Sequence, residues 1–100
     1  PARRPGRLMR VADQVVAYVR RLHPAQRRAI KTALRALAAG RETDSKPLED
    51  ELKGFTRLRV GPFRLVYRQL KSGEISCEFI ETRKLVYPRF AAIKDLLSDE

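Results

Sequence analysis

The sequence predicts an α+β fold, with an N-terminal helical hairpin packed on an antiparallel sheet of about four strands and a short C-terminal helix. Three observations carry that expectation. Apolar residues recur at helical spacing through residues 12–39, with a break at His23-Pro24. The period changes to two across residues 55–80. Beyond Pro88 a helical apolar stripe returns. A length of 100 residues, a hydrophobic share of 43% and only 5 Gly and 6 Pro suit one folded domain spanning the chain and argue against disorder.

In chain order, residues 1–6 read as a flexible basic tail and residues 7–11 as a short strand. Val15, Val16, Val19 and Leu22 form the stripe of a first helix, and Asp13 lies where a first-turn acid suits the helix dipole. Pro24 fits the first turn of a second helix, whose stripe is Ile30, Ala33, Leu34, Leu37 and Ala38 and whose stop is Gly40. Its opposite face carries Arg27, Arg28, Lys31 and Arg35, which reads first as a solvated surface and second as a nucleic-acid contact. Residues 41–47 have loop composition, and residues 48–54 form a short acidic turn. Strands follow at 55–60, 63–70 and 74–80, joined by turns at Gly61-Pro62 and Ser72-Gly73. The final helix presents Phe90, Ile93, Leu96 and Leu97 on one side.

Charge supplies the first functional clue. The 22 Lys and Arg outnumber the 12 Asp and Glu, for a net charge of +10, and such a surface attracts polyanions. No apolar run approaches the ~20 residues of a membrane span, and the basic start lacks the apolar centre of a signal peptide. A cytoplasmic protein without a membrane partner is therefore expected. Cys77 has no second cysteine to pair with, and with a single His23 no Cys/His metal cluster forms, so no metal or cofactor is expected. Cys77 is in phase with Ile75 and Phe79 and reads as core; His23 beside Pro24 reads as a turn or cap residue.

The turn chemistry fixes a register. Gly61 takes the positive φ at the first centre of a type II′ turn and Pro62 the negative φ at the second. A two-residue loop sets Val60 opposite Phe63, Arg59 opposite Arg64, Leu58 opposite Leu65, Arg57 opposite Val66 and Thr56 opposite Tyr67. Alternation then puts Leu58, Val60, Phe63, Leu65 and Tyr67 on a core face and Arg57, Arg59, Arg64 and Arg68 on a basic one. Like charges directly across strands are destabilising, so the Arg59–Arg64 pairing implies a purpose such as holding phosphate, unless Glu78 or another acid neutralises it. Just after the third of these strands, Glu81, Arg83, Lys84 and Tyr87 bring a carboxylate, two cations and a phenol toward the same face. Gly-rich phosphate loops, zinc spacings and nucleophile elbows are absent from the sequence.

The string Leu-Lys-Gly-Phe-Thr-Arg-Leu-Arg-Val-Gly-Pro-Phe-Arg-Leu-Val-Tyr, from Leu52 to Tyr67, precedes Thr-Arg-Lys-Leu-Val-Tyr, from Thr82 to Tyr87. Together they resemble the sheet signature of the RelE/ParE superfamily, the toxins of type II toxin–antitoxin systems. The resemblance covers residues 8–97. It implies a ribosome-dependent messenger-RNA endoribonuclease with Arg57, Arg59, Arg64, Arg83 and Tyr87 as its site. The residues on and beside the basic face add Glu81 as an alternative base and make Arg57, Arg59, Arg64, Arg68 and Lys84 the expected RNA contacts. It also implies a cognate antitoxin that covers the basic groove, and the ribosome and messenger RNA as partners. Cleavage would need no metal: the 2′-hydroxyl attacks the neighbouring phosphate while fixed guanidinium donors stabilise the charge. The chain departs from members that carry a histidine just before the arginine near the C-terminal tyrosine, because Thr82 stands there. ParE-like members, which inhibit DNA gyrase without cutting RNA, and plain nucleic-acid binding are the alternatives that the resemblance leaves open.

Overall fold

The computed structural model describes residues 8–98; the tail expected at residues 1–6 lies outside the described residues. In order the elements are β1 (Met9–Val11), α1 (Asp13–Arg20), α2 (Pro24–Ala38), β2 (Ser45–Pro47), a 3-10 turn (Asp50–Leu52), β3 (Thr56–Val60), β4 (Phe63–Gln69), β5 (Ile75–Thr82) and α3 (Val86–Ser98). Five strands form one sheet in the order β1-β5-β4-β3-β2.

The sheet corrects the four-stranded antiparallel expectation. β1 runs parallel to β5, so the sheet is mixed, and β2 adds a fifth strand beside β3. Neither event has a strong local signal. A parallel pair has no hairpin turn to announce it, and Ser45–Pro47 reads as loop because Pro47 cannot donate to a ladder; an edge strand tolerates it. The central hairpin is as the turn dictates. Gly61 has φ 57°, and Arg59 faces Arg64 while Leu58 faces Leu65. Between β4 and β5 the register skips Glu78, moving from Val66–Phe79 to Tyr67–Cys77. That bulge keeps Phe79 and Cys77 both inward, on opposite faces.

The helix pair follows β1 and does not match the expected N-terminal hairpin in detail. α1 is eight residues long and lies chiefly along β5, while α2 reaches β3. His23 caps α2, its Nδ1 accepting the Ala25 N–H at 3.3 Å with Pro24 at the first position. At the other end Gly40, φ 74°, closes a Schellman motif in which the Arg41 N–H bonds the Ala36 carbonyl and the Gly40 N–H bonds that of Leu37. With both ends satisfied, α2 buries Ile30 and Leu37 against Val15, Leu58, Phe63, Leu65, Ile75, Cys77 and Ile80 in the main core.

The second face of the sheet is less uniformly basic than alternation implies. Val66 and Phe79 at its centre pack under Val86 and Phe90 of α3, with Phe55 edge-on to Phe90 at 5.0 Å. α3 is thus anchored by its first half. Its expected apolar stripe is only partly buried, since Ile93 and Leu96 are exposed. Among the described residues no helix is long and apolar enough to cross a membrane.

Candidate phosphate-binding site

At the turn end of the sheet, three arginines from two strands rise on the second face. Arg64 is the inner one: it is only 8% exposed, and its Nη1 donates to the carbonyls of Gly61, at 2.8 Å, and Phe63, at 3.0 Å. The guanidinium therefore braces the turn that it follows. Burial pushes its pKa down, and the charges of Arg59, Arg57 and Arg83 push the same way, while an ionised Tyr87 opposes them. Three further cations and one phenol thus lie close enough to Arg64 to act on its charge.

Arg83 reaches the group through the backbone, its N–H donating to the Pro62 carbonyl at 3.1 Å and fastening the segment after β5 to the β3–β4 turn. Tyr87, in the first turn of α3, is half-buried against the Val66, Phe79, Val86 and Phe90 cluster. Lys84 is exposed beside Arg83. The structure thus brings Arg57, Arg59, Arg64, Arg83 and Tyr87 together. Among the described residues neither Arg64 nor Arg83 forms an ion pair with an acid.

The neutralising acid that the sequence left open is Asp44. Its carboxylate lies 3.4 Å from Arg57 Nη1 and 4.0 Å from Arg59 Nε. β2 is what brings it there, because the Arg59 N–H bonds the Asp44 carbonyl at 2.9 Å. Asp44 is 57% exposed, so these pairs are weak. Glu78 instead holds Arg68, at 3.1 Å from Nε, and accepts from the Ser76 hydroxyl at 2.6 Å. Arg68 also lies over the Phe55 ring, beside a groove of about 460 Å³ lined by Phe90 and Ile93. It is near the opposite end of β4 from the turn, apart from the other arginines.

Glu81 is buried and directly opposite Arg64, yet its carboxylate points elsewhere. Oε2 accepts from Arg89 Nη1 at 2.6 Å, and Oε1 accepts from the Thr82 N–H at 2.9 Å and the Tyr18 hydroxyl at 3.3 Å. Burial, and then the Glu81 charge, raise the Tyr18 pKa, which keeps the phenol a donor. Sequence reasoning missed Asp44, Tyr18 and Arg89. Asp44 lay in a segment read as loop, and the other two meet Glu81 only through tertiary packing.

No family model and no curated protein sequence matches the chain. Solved structures do. The chain is similar to the toxin–antitoxin complex RelBE2 from Mycobacterium tuberculosis, at 25% identity over 83% of this chain and 98% of that one, with a TM-score of 0.57. It is also similar to the archaeal RelE–RelB complex from Pyrococcus horikoshii OT3, at 22% identity over 80% and 98% of the two chains, with a TM-score of 0.66. A third neighbour is YafQ from E. coli, at 20% identity over 78% and 94%, with a TM-score of 0.53.

Proposed function

From a chain that has the fold of RelE-type toxins, we propose a toxin that cuts messenger RNA on the ribosome and is held silent by an antitoxin. One observation carries the reading: a buried arginine, Arg64, at the centre of Arg57, Arg59, Arg83 and Tyr87, with no acid of its own among the described residues. Four cations in one place are destabilising in a free protein and become favourable around a phosphate whose charge grows in a transition state. Arg64 Nη1 is occupied by the turn, so Nε and Nη2 remain to face the phosphate in a fixed orientation.

In this reaction the RNA 2′-oxygen forms a bond to its neighbouring phosphorus and the bond to the 5′-oxygen breaks. The 2′-hydroxyl loses its proton, the 5′-oxygen gains one from water, and the products are a cyclic phosphate and a 5′-hydroxyl. DNA lacks that nucleophile. Arg57, Arg59 and Arg64 bind and stabilise the phosphorane; as permanent cations they are not bases. Tyr87 orients the 2′-hydroxyl and takes its proton, and Arg83 supports the leaving oxygen. Glu81 is the weaker choice of base, because three donors already hold its oxygens. The ribosome supplies the positioning of bases that this small surface lacks.

The antitoxin partner rests on the fold and on the net charge of +10, which favours an acidic covering segment. Mapping RNA 5′ ends on translating ribosomes, beside a gyrase supercoiling assay, tests the reading. New ends that vanish with Arg64→Ala support the nuclease. Inhibited supercoiling without new RNA ends would instead make the chain a ParE-like gyrase inhibitor.

A further inference from the structure

The strangest pairing in the molecule is one that is not made. Arg64 and Glu81 are directly opposed on neighbouring strands, 8% and 7% exposed, and opposite charges at such positions ordinarily pair. Here Arg64 turns to its own β3–β4 turn, while Glu81 is held from three sides by Arg89 of α3, Tyr18 of α1 and the Thr82 N–H.

Tyr18 is placed by a second device. β1 covers β5 only as far as Cys77, leaving Ile80 with open backbone groups. Gln14 completes that edge with its side-chain amide, donating to the Ile80 carbonyl at 2.7 Å and accepting the Ile80 N–H at 2.9 Å. One helical turn later Tyr18 meets Glu81 and sets its ring edge-on to Phe63 at 6.0 Å. α1 is thereby clamped at the residue beside Glu81.

We propose that Arg89 and Tyr18 are positioning residues that hold the Glu81 carboxylate away from Arg64, so that the arginine cluster stays free to take a phosphate group. The inference rests on the phosphate-site reading above and adds two residues that touch no substrate. Its physical core is the cost of a lone buried carboxylate. Deprived of Arg89, Glu81 has Arg64 directly across the strand as a replacement cation, and that new pair would occupy the donors a phosphate needs.

The test uses the full chain and a non-cleavable 2′-O-methyl hexanucleotide, with affinity read by fluorescence anisotropy at about 0.1 M salt. Arg89→Gln weakens binding about tenfold, the size of one lost charge-assisted hydrogen bond. Adding Glu81→Gln restores it to within about twofold of the parent, because the competing carboxylate is gone. Adding Glu74→Gln instead restores the same net charge from the far end of the sheet but leaves Glu81 in place, and binding stays weak. Arg89→Lys keeps the cation and binds like the parent, and Tyr18→Phe weakens binding by a smaller factor in the same direction. Circular dichroism confirms that each variant is folded. If Arg64→Ala lowers affinity but Arg89→Gln does not, or if Glu74→Gln rescues as well as Glu81→Gln, the positioning role is wrong and the phosphate site stands. If Arg64→Ala binds as the parent does, the site itself fails and this inference with it.

Discussion

Arg64 and Leu65 are chain neighbours on opposite faces of β4, and exchanging each for alanine separates function from folding. Leu65 is 1% exposed in the main core, so Leu65→Ala deletes buried volume at a cost of about 2 to 5 kcal/mol. For a domain of this size each kcal/mol lowers Tm by roughly 4–8 °C, so a fall of about 10 °C or more is expected. Arg64→Ala is not silent either, because the two hydrogen bonds to Gly61 and Phe63 are lost. The Gly61 carbonyl lies at an exposed turn that water can reach while the bond to Phe63 is buried, and repulsion from Arg59 is relieved, so a net loss of about 1 to 2 kcal/mol is expected. In the reaction the order reverses. Loss of a transition-state phosphate contact worth about 3 to 4 kcal/mol slows cleavage by roughly a hundredfold to a thousandfold. Leu65→Ala, measured well below its Tm, cuts within a few-fold of the parent. Thermal unfolding and single-turnover cleavage on programmed ribosomes read the two quantities separately. Parental cleavage by a folded Arg64→Ala protein would refute the assignment of the chemistry to this cluster.

Other consequences follow from single residues. Arg68→Ala should leave cleavage nearly unchanged, since Arg68 is paired with Glu78 away from the cluster; a loss as large as that of Arg57→Ala would extend the site along the sheet. Gly61→Ala meets no steric obstacle, but φ 57° costs an L residue about 1 to 2 kcal/mol, so Tm should drop while the residual folded protein keeps its hairpin; an unchanged Tm contradicts the turn assignment. Burial, with Glu78 adding to it, pushes the Cys77 thiol from an ordinary 9.0 up to about 12. The thiol should therefore resist alkylation in the native protein at pH 8 and react on unfolding. The sign for stability follows from the raised value: the contribution is complete below pH 9 and is lost as pH climbs from 9 through 12, by about 1.4 kcal/mol per pH unit, because unfolded chains ionise first. Denaturant midpoints measured from pH 8 to 11 check this against Cys77→Val, which should lack that part of the slope.

What could be read in advance follows the range of the interaction responsible. The β3–β4 hairpin was legible to the residue because Gly61-Pro62 selects a turn and the turn selects every pair, including Arg59 with Arg64. The cap of α2 by His23 was legible for the same reason, its donor and acceptor being two residues apart. The strand expected at residues 7–11 is β1, but its parallel pairing with Ile75–Cys77 escaped, and so did β2 altogether: three residues carry too little periodicity, and the partners, Thr56–Leu58 for β2, are remote in sequence. Without β2, nothing in the sequence sets Asp44 beside Arg57 and Arg59, so of the expected neutralisers, Glu78 or another acid, only Glu78 can be named from the sequence. The second face was read as basic because alternation assigns sides without saying what covers them; Val66 and Phe79 share that side with the arginines and require α3 above them. The same blindness hid the fate of Glu81. Its place just after the third predicted strand, near Arg83 and Tyr87, suggested an acid available to the site, yet its partners come from α1 and α3, 63 residues before it and 8 after. A buried charge is directed by whichever elements meet around it. Whether the carboxylate beside an arginine cluster serves as a base, a neutralising partner or a restrained bystander is therefore a property of tertiary packing, and here Tyr18 and Arg89 decide it.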